Sequence, residues 1–323
     1  MQSDPSVTPS PLTVAVTGAT GLIGTALVER LRAHGHSVRR LLRSARHAGP
    51  GDVVWDPERG ALPPNALAGA DAVVHLAGEP VAHRWTTERK RAIRESRVRS
   101  TEQLAQAVRA LDEKPRVFLS GSAIGYYGDR GDALLDESAT PGDDFLARVC
   151  VEWEGAAAPI ADAGVRLVWL RTGIVLSPKG GALARLLPIF RLGAGGPIGS
   201  GRQWMSWISL DDHLRAVEHA LVSESLTGPA NLVAPNPVTS HELATTLGRV
   251  LTRPAIIPVP SFALELLYGE MARATLLAGQ RVLPKALTRS GFEFAQPTLE
   301  GALRAELAQS DGLTVRLSSP PDA

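Results

Sequence analysis

Two stretches of this sequence hold residue types at spacings that could do chemistry. The first is Thr17-Gly18-Ala19-Thr20-Gly21-Leu22-Ile23-Gly24, which follows a short β-branched run and opens a pattern of apolar residues at helical spacing. In such a loop Gly18 permits the tight turn, Gly21 lets the backbone approach a pyrophosphate, and Gly24 lets the helix pack closely on the strand. The helix N-terminus adds free N–H groups and a partial positive charge. Gly18, Thr20, Gly21, Leu22, Ile23 and Gly24 are therefore candidate contacts to a dinucleotide. A ligand-free glycine turn is the competing reading, and the strand, helix and second strand in the required order favour the dinucleotide. The second stretch is Arg202-Gln203-Trp204-Met205-Ser206-Trp207, a dense aromatic and polar cluster after a glycine-rich segment. That mixture suits a pocket with a few placed polar groups, with Arg202 and Trp204 as substrate candidates and Trp207 as core.

The end of the second strand bears on the choice of cofactor. An NAD site wants a carboxylate there for the ribose hydroxyl. This chain has Leu42-Arg43-Ser44 with Arg46 close by and no acid. Arginine forks match phosphate geometry, so Arg43 is the candidate grip for a 2′-phosphate and NADP(H) is expected in preference to NAD(H). A solvated basic edge is the alternative. Small residues in Leu76-Ala77-Gly78, at the end of a later strand, would let the cofactor lie across the sheet, while His75 before them reads as a satisfied core histidine. Glu79, Arg84 and Trp85 follow at the same edge and are candidates for cofactor or substrate contact, against an ordered loop with a local ion pair.

Behind these residues stands an alternation of strand-like and helical segments. Strands are expected at 12–16, 38–42, 53–55, 72–76, 117–120 and 167–170, and helices at 22–34, 86–111 and 145–163. The run at 72–76 is continuously apolar, as a parallel strand buried on both faces should be. The pattern implies an α/β fold, a Rossmann-type doubly wound parallel sheet over residues 12–175, with sheet elements recurring to about 235. Residues 176–309 read as a smaller C-terminal substrate domain with helices at 182–190, 211–223, 240–251 and 263–277. Asp211 and Asp212 read as helix caps and Asn231 as structural. Residues 1–11 and 310–323 read as tails.

Bulk properties exclude several classes. Lys and Arg total 34 against 33 acids, a net charge of +1, so nothing global attracts nucleic acid or an anionic membrane. No uncharged apolar run reaches the roughly 18 residues a membrane span needs. With one cysteine, Cys150, no intrachain disulfide can form, and the cytoplasm is the expected compartment. A lone cysteine and the absence of His-x-x-x-His spacing suggest no metal site, and no Gly-x-Ser-x-Gly elbow marks a hydrolase.

Together, Thr-Gly-x-x-Gly-x-x-Gly, His75-Leu76-Ala77-Gly78, Ser120-Gly121-Ser122 and Leu170-Arg171-Thr172-Gly173 resemble the extended short-chain dehydrogenase/reductase superfamily. More narrowly, Ser122–Gly128 (Ser-Ala-Ile-Gly-Tyr-Tyr-Gly), 201–208 and 279–284 look like an atypical branch of epimerase family proteins, and the resemblance covers roughly residues 12–308. It implies a bound dinucleotide, with Ser120 and Arg171 also at the cofactor, and a small appended C-terminal domain. The superfamily's chemistry rests on a Ser/Thr, a Tyr-x-x-x-Lys pair and an upstream Asn. Ser122 matches the serine. Counting back from Glu154 puts Leu146 at the tyrosine and Cys150 at the lysine, and Arg97 falls at the asparagine. The branch is similar in the last two, but leucine cannot transfer a proton.

The replacements considered are Cys150, whose thiol beside Arg97 could ionise at neutral pH, and Tyr126 or Tyr127. An inert buried cysteine and an aromatic pocket wall are the alternatives. Ser122 would hydrogen-bond a substrate oxygen, and Arg97 would polarise it or bind a carboxylate or phosphate. The implied function is an NADP(H)-binding oxidoreductase or epimerase-like enzyme acting on a small molecule. The alternative is a non-catalytic NADP(H)-binding protein that senses redox state or binds a partner. A monomer or a homodimer formed through the helices at 86–111 and 145–163 is expected.

Overall fold

The computed structural model describes residues 10–317, with side chains through 308. The first half runs β1 (Thr13–Thr17), α1 (Leu22–Ala33), β2 (Ser37–Leu42), β3 (Val53–Val54), β4 (Ala72–His75), α2 (Thr87–Ala110), β5 (Val117–Ala123), β6 (Leu134–Leu135), α3 (Phe145–Asp162) and β7 (Arg166–Thr172). The second runs β8 (Ile174–Leu176), α4 (Gly181–Arg191), β9 (Trp204–Met205), β10 (Trp207–Ser209), α5 (Leu210–Val222), β11 (Gly228–Leu232), β12 (Val238–Thr239), α6 (Ser240–Leu251), α7 (Ser261–Tyr268), β13 (Arg281–Val282), α8 (Lys285–Arg289) and α9 (Leu299–Leu317).

Seven strands form one parallel sheet in the order β11-β7-β5-β4-β1-β2-β3. Successive side chains of a strand point to opposite faces, and β1 shows it. Val14 and Val16 pack with Leu27 and Leu31 of α1 and Val217 and Leu221 of α5. Ala15, on the other face, joins Leu104 and Val108 of α2 and Ala157 and Ile160 of α3. Both faces are thus covered, which is why the strands carry no polar alternation. The chain runs from β1 to β2 on one side and returns to β4 on the other, so a crevice opens over the C-terminal end of β1.

The doubly wound fold is as the sequence implies, but the dinucleotide unit is not contiguous. After β7 the chain contributes β8 and α4 to the smaller lobe, then returns through α5 and β11 to complete the sheet. The smaller lobe has its own core, in which Leu183, Leu187 and Phe190 of α4 meet Leu243 and Leu247 of α6 and Leu303 and Leu307 of α9, with Trp207 fully buried among them.

Two other expectations change. The helix expected over 263–277 breaks after Tyr268, because Gly269 adopts φ +61, and resumes as a single wide turn at Ala272–Leu276. Residues 310–317, expected as tail, continue α9; no proline interrupts the helical ladder before Pro320. Residues 1–9 and 318–323 of the two expected tails lie outside the described residues. No helix of the described residues is long and apolar enough to cross a membrane.

Candidate active site

The glycine loop shows two kinds of glycine. Gly18 has φ +66, and a Cβ there would lie 2.7 Å from the carbonyl carbon of Leu76; a Cβ on Gly24 would lie 2.1 Å from the oxygen of Gly18. Both are required by the fold itself. Gly21 is different. Its φ is −80, and a Cβ would meet only the Gly18 oxygen at 3.4 Å. What it keeps open is the space in front of the N-terminus of α1, which has no acidic residue in its first turn and basic residues only in its last. The N–H groups of the first turn, Leu22 to Gly24, have no helical acceptors and suit a phosphate. The side chains of Leu22 and Ile23 face away, packed against the sheet's core.

His75 explains how the floor of the crevice is held. Thr17 Oγ1 accepts from the N–H groups of Leu76 (3.2 Å) and Ala77 (3.3 Å), so its proton goes to His75 Nδ1 at 2.6 Å. The other ring nitrogen lies 3.0 Å from Thr101 Oγ1 and 3.2 Å from Ser100 Oγ, and both hydroxyls give their own protons to backbone carbonyls of α2. His75 is therefore the neutral tautomer protonated at Nε2. Burial, helped by the charge of Arg97, pushes its pKa down to about 3. It ties β1, β4 and α2 together, as a satisfied core histidine does.

A groove of about 550 Å³ runs from the glycine loop past the tips of β2 and β3, lined by Thr20, Gly21, Arg43, Trp55, Ala77 and Arg99 among others. Of the sequence candidates, Gly18, Thr20, Gly21, Arg43, Leu76, Ala77 and Gly78 line it. Arg43 Nη1 donates to Glu79 Oε1 at 2.8 Å. Arg99, on α2, went unnoticed in the sequence because only helical phase brings it to this wall. Gly78 leaves room for Arg97, whose Cζ would sit 2.9 Å from a Cβ there.

Ser120 and Arg171 are not at the groove. Ser120 is fully buried in β5. Arg171, on β7, donates through Nε and Nη2 to the two carboxylate oxygens of Glu154, each at 2.8 Å, and through Nη1 to the hydroxyl of Tyr127 at 3.1 Å. Tyr127 in turn donates to Asn231 Oδ1 at 2.7 Å, so Asn231 is structural as expected. An arginine in the middle of a sheet needs this bidentate partner, which keeps it charged despite burial. Ser122 also gives its proton to Glu154, at 2.6 Å, and is 5% exposed. Its hydroxyl is committed, so the expected donation to a substrate oxygen is not available in this arrangement. Glu154, which accepts from both Arg171 and Ser122, is the centre of the cluster.

Cys150 is a correction of another kind. Burial pushes its thiol up to about 12, Glu154 adds to the rise, and the charge of Arg97 is too weak to reverse it. The thiol is neutral at pH 7 and its nearest hydrogen-bond partner is the carbonyl of Ala123 at 3.8 Å. Arg97 donates through Nη1 to the carbonyls of Glu79 and Ile93, both at 3.0 Å, and stacks 5.2 Å from the Trp153 ring centre. Its Nε and Nη2 have no acceptor among the described residues. Tyr126 is half-buried, with the Arg171 guanidinium 3.5 Å from its ring centre and no hydrogen bond to its hydroxyl among the described residues.

The model of the NAD dependent epimerase/dehydratase family matches residues 14–231, the whole span of the seven-stranded sheet from β1 to β11. The chain belongs to that family. A domain of unknown function (DUF1731) matches residues 259–306. An epimerase family protein of Mycobacterium bovis is 45% identical over 291 residues, covering 90% of this chain and 96% of that one. The crystal structure of the human epimerase family protein SDR39U1 with NADPH superposes with a TM-score of 0.85 at 36% identity, over 92% of this chain and 99% of that one. The UDP-glucuronic acid 4-epimerase of Bacillus cereus, solved with UDP-glucuronic acid and NAD, shares the fold at a TM-score of 0.74 and 18% identity, over 94% of this chain and all of that one.

The remaining candidates of this family member lie away from the dinucleotide groove. Arg84 Nη1 donates to the carbonyls of Leu266 (2.6 Å) and Leu267 (3.4 Å) at the end of α7, inside the domain of unknown function. Trp85 packs edge-on against Phe145 and donates to the carbonyl of Val81. Arg84 is thus an interlobe contact, whereas the partners of Trp85, Val81 and Phe145 of α3, lie within the sheet-bearing lobe. Arg202 and Trp204 border a second, open depression with Asp132, His241 and Glu242. Trp204 donates to Asp132 at 2.7 Å and carries Arg281 on its face at 4.1 Å. The cap of α5 is Ser209, and Asp212 instead accepts from the N–H groups of Ala295 and Gln296. No cluster of three or more potential metal ligands occurs among the described residues.

Proposed function

We propose that this protein is an NADP(H)-dependent oxidoreductase or epimerase-like enzyme of the cytoplasm, acting on a small molecule. The observation that carries the reading is the groove itself. It joins an acid-free helix N-terminus and a glycine, Gly21, whose missing side chain matters only to a ligand, to a β2 whose own tip carries Arg43 where an NAD site would carry a carboxylate, the acids on the groove, Asp56, Glu58 and Glu95, coming from other segments. The human relative crystallised with NADPH supports the same choice. When bound, such a cofactor supplies hydride transfer at its nicotinamide ring. The chain's part is to hold it: α1 N–H groups on the pyrophosphate, Arg43 on the 2′-phosphate, and Leu76 to Gly78 beneath. Arg97, with two unengaged nitrogens, binds or polarises a substrate oxygen, and Tyr126 handles the proton. The test is calorimetric titration with NADPH and NADH. NADPH is expected to bind at least tenfold more tightly, about 1.4 kcal/mol, and Arg43→Ala to lose that preference. Equal binding of both nucleotides would refute the assignment.

A second reading, an NADP(H)-binding protein without catalysis, is favoured by the neutral Cys150, by Leu146 at the tyrosine position and by Ser122 locked to Glu154. Nicotinamide absorbance followed across a panel of carbonyl and sugar-nucleotide substrates separates the two. A turnover that Tyr126→Phe abolishes supports the enzyme, and a tightly held cofactor that no substrate oxidises or reduces supports the binder.

A further inference from the structure

Strand order places β1 between β2 and β4, so the residues just past β2 and β4 flank the glycine loop from opposite sides. Arg43 stands past β2 and Glu79 past β4, and their side chains meet at 2.8 Å. The two halves of the pair differ. Glu79 is fixed: its N–H donates to Ser96 Oγ at 3.0 Å, its carbonyl accepts from Arg97, and its carboxylate has a second cation in Arg89 at 3.7 Å. Its side chain is 19% exposed, whereas that of Arg43 is 64% exposed and has Glu79 as its one ion-pair partner among the described residues. An exposed arginine that lines the dinucleotide groove is thus tied to an anchored carboxylate at the groove's edge.

We propose that the Arg43–Glu79 pair is a latch on the cofactor groove, a carboxylate tie that every dinucleotide must break before Arg43 is released to it. Seating a dinucleotide along the glycine loop requires the pair to open. A 2′-phosphate offers Arg43 a bidentate replacement for the carboxylate it leaves, while Glu79 keeps Arg89. A nucleotide with a free 2′-hydroxyl opens the latch and gives nothing back to Arg43. Every dinucleotide meets the same obstacle, and only the phosphorylated one compensates it. The inference rests on the reading of Arg43 as the 2′-phosphate grip, but it makes a separate demand: removing the latch must help NADH.

The experiment is calorimetric titration of Glu79→Gln and Arg43→Ala with NADPH and NADH, with melting curves to show that both variants fold. A partly exposed ion pair of this kind corresponds to about a two- to fivefold change in affinity. Glu79→Gln should bind both nucleotides more tightly by that factor, with the preference for NADPH kept. Arg43→Ala should bind NADH more tightly and NADPH more weakly. If NADH tightens in neither variant, the latch is overturned, and the cofactor reading survives provided Arg43→Ala still loses NADPH. If both variants tighten both nucleotides, the latch stands and the 2′-phosphate role of Arg43 falls.

Discussion

The cluster of Glu154, Arg171, Tyr127 and Ser122 allows a prediction with a worked magnitude. The side chains of Arg171 and Glu154 are only 4% and 10% exposed, and the carboxylate receives three hydrogen bonds. Replacing Glu154 by leucine leaves a guanidinium inside the sheet with no counter-charge and strands the Ser122 hydroxyl. Breaking a buried pair from one side costs about 3–5 kcal/mol, whereas replacing both partners by apolar residues of similar volume is often nearly neutral. At about 2 cal/mol/K of unfolding entropy per residue, the 323 residues convert that loss to a fall of about 5–8 °C in Tm. Thermal unfolding followed by circular dichroism should show that drop for Glu154→Leu and a recovery of most of it in the Glu154→Leu/Arg171→Met double variant. NADPH affinity should survive Arg171→Met, because Arg171 does not reach the groove. A loss under about 1 kcal/mol for Glu154→Leu, or a double variant as unstable as the two singles added together, would refute the account of the pair.

Three further outcomes follow from the site. Gly21→Ala should melt like the wild type yet bind NADPH at least tenfold more weakly, whereas Gly24→Ala should lose about 2–3 kcal/mol of stability in denaturant titration because its Cβ has no room. The Cys150 thiol, held up to about 12 by burial, should resist iodoacetamide at pH 8 in the native protein and react only on unfolding; rapid native alkylation would contradict it. Glu306 of α9 accepts from the N–H groups of Leu210 and Asp211 at the start of α5, and burial, with Asp211 adding, raises its pKa to about 7 against the opposing pull of those N–H groups and Lys179. A folded-state pKa above the unfolded one favours the protonated state, so its contribution is present below about pH 4.5 and lost as pH rises through about 7. The wild type should therefore lose stability relative to Glu306→Gln between pH 5 and pH 8, and parallel melting curves across that range would exclude the effect.

The glycine loop, the core histidine and the parallel sheet were legible because each leaves a local mark. Gly18 and Gly24 are spaced by the turn and the helix packing they permit, and the unbroken apolar run of β4 reports burial on both faces. Arg43 was found by what was missing beside it, a carboxylate at the tip of β2. Arg171 and Ser122 were given other partners, and Glu154 no role at all, for the opposite reason. They lie on α3, β7 and β5, and their meeting depends on which face each presents once the sheet is built. An arginine at the end of a strand looks the same in sequence whether it grips a phosphate or a buried glutamate. Cys150 shows the same limit: being near a cation was foreseen, but the degree of its burial was not, and burial decides the charge of the thiol.

The late arrival of β11 has a consequence for how the chain is made. When β7 has been synthesised, one of its edges waits for a partner that follows about sixty residues later. At synthesis rates of about 5–20 residues per second, that interval is about 3–12 s. During it an apolar strand, Leu167 to Leu170, has an open row of backbone donors and acceptors available to any other chain. The first part of the segment that fills the interval, β8 and α4, packs in the smaller lobe. A nascent chain stalled near residue 200 should therefore be a good client for a chaperone that binds extended apolar segments, and one released past residue 232 a poor one.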